Sequence, residues 1–406
     1  MAKPIFTIVE KQPQLNPVKT AVDSIASVAN LCHTLNVTQE ELDAALTLDP
    51  EEKYERRAIP KKDGSDRLVF SPDRRLRKIQ RRINKRIFAA QSVVSWPDHL
   101  FGSIPNQNGP ENIKIEKDYV ACARRHCQSK SILKIDIKNF FDNISEFHVK
   151  DIFVNFFKYS DDVANVLANL CCLNGHVIQG ALTSSYIAGL CLYDVEGDVV
   201  RRLARKGLVY TRLVDDITVS SKSADFDFGF AKSIIEQMLV GKDLPINESK
   251  TAVHYVSTTP LTVHGLRVGF KEPRLPSDEV RRIRSAVKNI ETLAKEDSYR
   301  ITHGYRHDFN RAMGRVNKLG RVKHKQHEPL VRRMRKVLPL PSKKDIERAT
   351  RIIDRLQADH AGKHDTYWYW KRFYLAHERL NVLQRSFPEV SKKLRTKLRL
   401  LRSSYE

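Results

Sequence analysis

The stretch TRLVDDITVS, residues 211–220, sets two carboxylates side by side in a run that otherwise alternates like a β-strand. Asp215 and Asp216 are poor strand formers and repel each other, so the pattern predicts two strands, LVYTRLV and ITVSS, joined by a tight turn at Asp215-Asp216. Turn chemistry alone accounts for such a pair, because aspartate side chains hydrogen-bond their own backbone in turns. A third carboxylate changes the reading. Asp136 ends the strand-like SILKIDI, where the chain hands over to a helix in NFFDNIS. If these strands are neighbours in one sheet, Asp136 and Asp215 converge. Three clustered carboxylates without matching cations make sense mainly around divalent metal.

Mg2+ takes carboxylate oxygens and leaves positions open for substrate phosphates, and two such ions can activate a 3′-hydroxyl and stabilise a departing pyrophosphate. That chemistry needs a nucleic acid and a nucleoside triphosphate. Lys and Arg outnumber Asp and Glu 71 to 48 over 406 residues, a net charge of +23. Basic regions at 61–90 and 271–406 flank a nearly neutral middle, 131–270. A solvated surface needs no such excess, whereas a polyphosphate partner rewards each added cation through counterion release. An anionic membrane is the rival partner, but no apolar run approaches the ~18 residues needed to cross a bilayer. The N-terminus also lacks a signal-peptide pattern, so a soluble cytoplasmic protein with no membrane partner is expected. Six cysteines, Cys32, Cys122, Cys127, Cys171, Cys172 and Cys191, follow no repeated spacing. Reduced thiols are expected, and Cys122, His126 and Cys127 lack a second pair at zinc spacing.

Residues 20–50 read as helical, with a capping box opening at Thr38. RRAIPKKDGSDRLVFSP reads as a hairpin turning at Asp63-Gly64, followed by a basic helix after Ser71-Pro72. Its apolar stripe Leu76, Ile79, Ile83 and Ile87 leaves the arginines and lysines facing outward. Beyond Pro276 the strand signals fade into basic helices, with LPLPS at 338–342 as a joint.

In this order the motifs resemble those of bacterial reverse transcriptases of the retron, group II intron and defence-associated lineage. IPKKDGSDRLVFSPDRRLRKIQRRI is similar to the fingers segment, LKIDIKNFFDNIS and IQGALTSSYIAGL to the first two palm motifs, and LVDDITVS to the YxDD-type motif. INESKTAV resembles the lysine-bearing motif, VHGLRV the strand closing the palm, and RAMGRVNKLGRVKHK the start of the thumb. Each is weak alone; seven in sequence are specific.

The resemblance implies an α+β right-hand polymerase: fingers, a palm with an antiparallel ferredoxin-like sheet, and a helical thumb. It implies residues 1–54 as an N-terminal helical extension, 55–130 as fingers, 131–272 as palm interleaved with fingers around 145–180, and 273–406 as a basic thumb and C-terminal region. Asp136 and Asp215 become the principal metal ligands, with Asp216 a weaker partner and the Ile137 carbonyl completing one shell around two Mg2+ ions, or Mn2+ in their place. Lys61 and Arg67 would grip the dNTP triphosphate, Phe141 would exclude a 2′-hydroxyl, and Gln179-Gly180 would lie against the nascent base pair. Lys250 is a candidate proton donor to pyrophosphate, and an exposed surface lysine is the other reading. Arg77, Arg81, Arg315, Lys318, Arg321 and Lys323 would contact nucleic acid.

The sequence departs from the family at Leu213, where the motif has tyrosine, and at Ile178, Leu182 and Ser185 around the glutamine. At the C-terminus Trp368, Trp370 and Phe373 are either base-stacking aromatics or helix-packing ones. The run Lys392, Lys393, Arg395, Lys397, Arg399 and Arg402 repels itself without an acidic partner, which points to RNA or duplex there.

The function expected is RNA-templated DNA synthesis with Mg2+ on a dedicated non-coding RNA that serves as template and primer, in a retron or in antiphage defence. A toxin or accessory effector and a homo-oligomer are further partners this reading leaves open. Template-independent or protein-primed synthesis, for example on Tyr405, and a non-catalytic RNA-binding scaffold remain alternatives.

Overall fold

The computed structural model describes residues 14–60, 64, 66–109 and 113–405, and the chain divides into two compact units, one ending at Pro273 and one beginning at Arg274. Lys61 and Asp63 lie outside the described residues.

The first unit is built on a five-stranded sheet in the order Ala252–Tyr255, Ser131–Asp136, Asp216–Ser221, Val209–Leu213, Leu100–Phe101. The first four strands pair antiparallel, as the resemblance implies, and the short edge strand Leu100–Phe101 adds a parallel pairing to Val209–Leu213. Alternation sends Leu133, Ile135, Ile217 and Val219 to one face, where they join the main apolar core. The opposite face carries Thr211 and Ser220, both buried, which pack under the helix Tyr119–Arg125 through His126 just past its end. Both faces are covered, yet the strands still alternate, because the second face buries polar side chains, Thr211, Thr218 and Ser220.

The hairpin at 54–72 forms from Tyr54–Pro60 and Asp66–Pro72, and Gly64 in its loop has φ +83°. Helix Arg74–Ile83 follows, capped by Asp73, whose carboxylate accepts from Arg75 N–H. Its stripe Leu76, Ile79, Ile83 and Ile87 is buried as expected. Arg82 is a correction: it turns inward, and its guanidinium donates to the carbonyls of Leu35 and Asn36 past the end of the helix Val28–Leu35. An arginine is favoured there because those helix-terminal carbonyls need donors. The helix Gln39–Leu46 opens with the Thr38/Glu41 capping box.

The second unit is helical. Ser277–Leu293, His303–Arg321 and His327–Lys336 enclose a core that includes Ile283, Val287, Tyr305, Val316 and Met334. Lys343–Lys363, Tyr367–Leu383 and Pro388–Arg399 enclose another, around Ile353, Leu356, Tyr369, Leu380 and Leu398. The proline-rich joint between them is tied down by Arg300 and Arg385, which donate to the carbonyls of Leu338 and Pro339. Phe373 is buried, while Trp368 is 45% exposed under the ammonium of Lys371. Tyr405 is also buried, against Tyr367 and Trp370, which removes the one hydroxyl considered for protein priming from the surface. Among the described residues no helix is long and apolar enough to cross a membrane, and the six cysteines are free thiols.

Candidate active site

Leu213 pairs with Asp216, so the hairpin turns on Val214-Asp215 and not on the two aspartates. Asp216 is the first residue of its strand and lies directly across from Asp136 on the next one. Cross-strand partners present their side chains on one face, with Cβ atoms about 5 Å apart. The backbone N–H of Ile137 donates to the carbonyl of Asp215 at 3.1 Å, which stitches the end of the Asp136 strand to the turn. Asp136, Asp215 and Asp216 are therefore brought together by sheet register, the weakest link in the sequence argument.

A third segment closes the site. Asn247 donates its backbone N–H to the Asp136 carbonyl at 2.8 Å and its side-chain amide to Asp136 Oδ2 at 3.0 Å. Lys250 lies 3.1–3.2 Å from both Asp136 oxygens. Asn247 was missed by the sequence reading, although it stands three residues before the lysine in INESKTAV and an asparagine at the mouth of a turn was its one signal.

The electrostatics set the two hairpin carboxylates apart from ordinary surface ones. Burial, followed by the charges of Asp215 and Asp136, pushes Asp216 up to about 6. Asp215 is raised mainly by burial and by Asp136, against the lowering effect of its own backbone N–H, Lys250 and Arg67. Burial and the neighbouring carboxylates hold these protons, a condition that a divalent ion relieves. Among the described residues no group of three or more His, Cys, Asp or Glu side chains is placed to hold a metal ion between them. Mg2+ does not ask for one, since it binds through one or two carboxylates, water and substrate phosphates. The donor set present, hard carboxylate oxygens beside a strand-end backbone, fits such an ion.

The other expected residues fall into place unevenly. Arg67 is exposed on the 54–72 hairpin, and its charge reaches Asp215. Phe140 is buried, whereas Phe141 is only partly covered. Gly180 has φ +117°, and a Cβ there would meet the Phe70 carbonyl oxygen at 2.2 Å. The close approach this glycine permits is thus to the 54–72 hairpin, and the Gln179 carbonyl beside it accepts from Phe70 N–H at 2.9 Å. Leu213 fills the place of the family tyrosine by packing with Phe101, Ala121 and Cys122. Ile178 is buried. Arg77 donates to Ser71 Oγ, and it and Arg81 are half-buried on their helix. Arg315, Lys318, Arg321 and Lys323 are exposed on the second unit, where Lys318 pairs with Glu279.

Behind the aspartates two further groups had no sequence signal beyond a polar residue in a strand or turn. His264 lies 3.8 Å from Asp216 through Nδ1 and 3.2 Å from Cys122 Sγ through Nε2. Arg212 is buried and bidentate to Glu196, at 2.7 and 2.8 Å.

The reverse transcriptase (RNA-dependent DNA polymerase) family matches residues 59–281. Over 92% of its length the chain is 45% identical to the retron Ec48 reverse transcriptase of Escherichia coli, of which it spans 91%. It is 32% identical to the retron Se72 reverse transcriptase of Salmonella heidelberg over 78% of this chain and 80% of that one. Among solved structures, apo telomerase from Candida tropicalis matches at 10% identity and a TM-score of 0.42, covering 87% of this chain and 67% of the other. The chain belongs to the reverse transcriptase family: it is a right-hand polymerase and an RNA-directed DNA polymerase. Within that family it is of the retron type.

Proposed function

We propose that this enzyme extends a 3′-hydroxyl with dNTPs, copying a dedicated non-coding RNA by two-metal phosphoryl transfer, and that it serves a retron acting in antiphage defence. The observation that carries the chemistry is the register that sets Asp216 opposite Asp136 while Ile137 N–H holds the Asp215 carbonyl. Asp136 and Asp215 would hold the two Mg2+ ions, or Mn2+, with Asp216 and the Ile137 carbonyl as lesser ligands. Bound there, the metal lowers the pKa of the attacking hydroxyl and offsets charge on the leaving oxygen.

The chain's own residues do the rest. Lys250 is held at Asp136 and carries a mobile proton to the departing pyrophosphate. Arg67, and Lys61 beside it in sequence, bind the triphosphate and offset its growing charge. Phe141, with its ring only partly covered, stands where a 2′-hydroxyl would collide, so dNTPs are selected over rNTPs. Gln179 and Gly180 support the templating pair. Arg77 and Arg81 in the fingers, and Arg315, Lys318, Arg321 and Lys323 in the thumb, track the phosphates of template and product. In this reading residues 55–130 are fingers, 131–272 palm and 273–406 thumb, in a cytoplasmic protein.

The test is to sequence the nucleic acid that copurifies with the protein, then to repeat the preparation with Asp136→Asn and Asp215→Asn. DNA complementary to one abundant RNA in the wild type, and absent in both variants, is the expected outcome. DNA unrelated to any bound RNA would replace templated copying with template-independent synthesis, and an antiphage effect that survives both variants would mean a scaffold.

A further inference from the structure

The buried cluster around Arg212 has no part in the chemistry above, and its geometry converges on one atom of the aspartate turn. Arg212 sits in the strand one residue before Leu213, on the face that packs into the apolar core. A guanidinium there is costly unless every donor is used. Nε and Nη2 hold the two Glu196 oxygens, Nη2 also donates to the Gly189 carbonyl at 3.0 Å, and Nη1 donates to the carbonyls of Ala188 at 2.8 Å and Val214 at 3.2 Å. Glu196 is locked in turn by Tyr210 OH at 2.7 Å, with His99 3.6 Å away.

Three elements are joined by this one side chain. Ala188 and Gly189 lie in the last turn of the helix Ser184–Leu190, where carbonyls need donors in any case. That helix packs closely on Trp96: a Cβ on Gly189 would lie 2.9 Å from its ring. Glu196 opens the next helix. The remaining contact, to Val214, reaches the turn that carries Asp215. Val214 has φ +61°, a left-handed conformation that a β-branched residue adopts only when its surroundings impose it. Strain at that residue and a fixed donor on its carbonyl belong together.

We propose, resting on the reading of Asp215 as a metal ligand, that Arg212 is a positioning residue: clamped by Glu196, it imposes the strained Val214 conformation and so aims the Asp215 carboxylate. The action is geometric. Arg212's charge is compensated by Glu196, and the charges that weigh on Asp215 are those of Asp136, Lys250 and Arg67. A buried ion pair is weak grounds for stability, since a neutral pair of similar volume often serves as well. Its retention beside a strained turn is better explained by the register it enforces.

The test removes the charges together. Arg212→Met with Glu196→Gln leaves Tyr210 an acceptor, and its thermal midpoint is expected below the wild-type value, because the carbonyls of Ala188, Gly189 and Val214 lose their donor. Mn2+ binding, followed by loss of the free-ion EPR signal without nucleic acid and scaled to the folded fraction, is expected to weaken on the order of tenfold or more. DNA synthesis should fall in parallel, through kcat rather than KM for dNTP. Arg212→Lys keeps the charge balance but loses the fork, and carries the same readout if the paired variant does not fold. Wild-type Mn2+ affinity in a folded variant overturns the clamp, whatever the synthesis assay gives. Mn2+ binding that weakens in the variant, in a protein whose wild type copies no RNA, supports the clamp and sinks the polymerase reading instead.

Discussion

Asp216 is the residue where charge and fold are most directly opposed. Its pKa rises from 3.8 to about 6 on folding, so the folded state binds the extra proton between those values. The associated stability is present below 3.8 and lost as pH rises through about 6. With its side chain 53% exposed, solvent screening limits the effect to about 1 kcal/mol. Metal-free protein should therefore lose thermal stability between pH 4 and pH 6.5 through this group, and Asp216→Asn should flatten that stretch and melt higher at pH 7. Mg2+ should raise the wild-type midpoint more at pH 7.5 than at pH 5, since protons and the cation compete for the same oxygens. An unchanged pH profile in Asp216→Asn would show that Asp215 carries the excess proton instead. At this scale the sequence was informative about which carboxylates matter and silent on their supports. The pair stands out because aspartates are rare in strands, whereas Asn247 and Glu196 are ordinary residues until the fold brings them to Asp136 and Arg212.

At the scale of elements, Gly180 decides how the 54–72 hairpin meets the segment around Gln179. Gly180→Ala must move the Phe70 backbone and accept φ +117°, which costs on the order of 1–3 kcal/mol. We expect a lower melting temperature and a raised KM for dNTP, because the support of Arg67 shifts with the hairpin. A melting temperature within a degree of wild type would show that the loop absorbs the change elsewhere. Periodicity found the hairpin and the stripe of the following helix, since burial of Leu76, Ile79, Ile83 and Ile87 is written every third or fourth residue. It misplaced the turn of the aspartate hairpin by one residue, because Asp216 begins a strand its propensity disfavours and Val214 occupies a turn conformation that valine avoids. The packing around Arg212 outweighs both preferences. Arg82 was misread for a related reason: a helix face is inferred from apolar residues, and a buried arginine serving carbonyls of another helix breaks that inference.

At the scale of the whole molecule, the charge of +23 is a statement about salt. Lys392, Lys393, Lys397 and Arg399 are exposed on the last helix, within a unit whose two cores are complete without them. Replacing the four with glutamine should leave the melting temperature nearly unchanged and reduce the slope of log affinity for RNA against log salt by about 3 if all four meet phosphates. Filter binding across a salt series measures it. An unchanged slope would return these cations to the role of solvated surface.

Among the described residues the 54–72 ribbon is gripped at its root. Tyr54 and Pro72 are buried at its root, Phe70 is bonded to Gln179, and Ile59 and Leu68 near the far end are half exposed or more. A beam clamped at its base bends along its length and does not swing about a pivot. Arg67 would then approach an incoming triphosphate by flexure of the outer rungs, with the inner rungs and the segment they touch standing still. Reach and alignment would thereby be separated: Arg67 could move toward phosphate while Phe70 keeps its bond to Gln179.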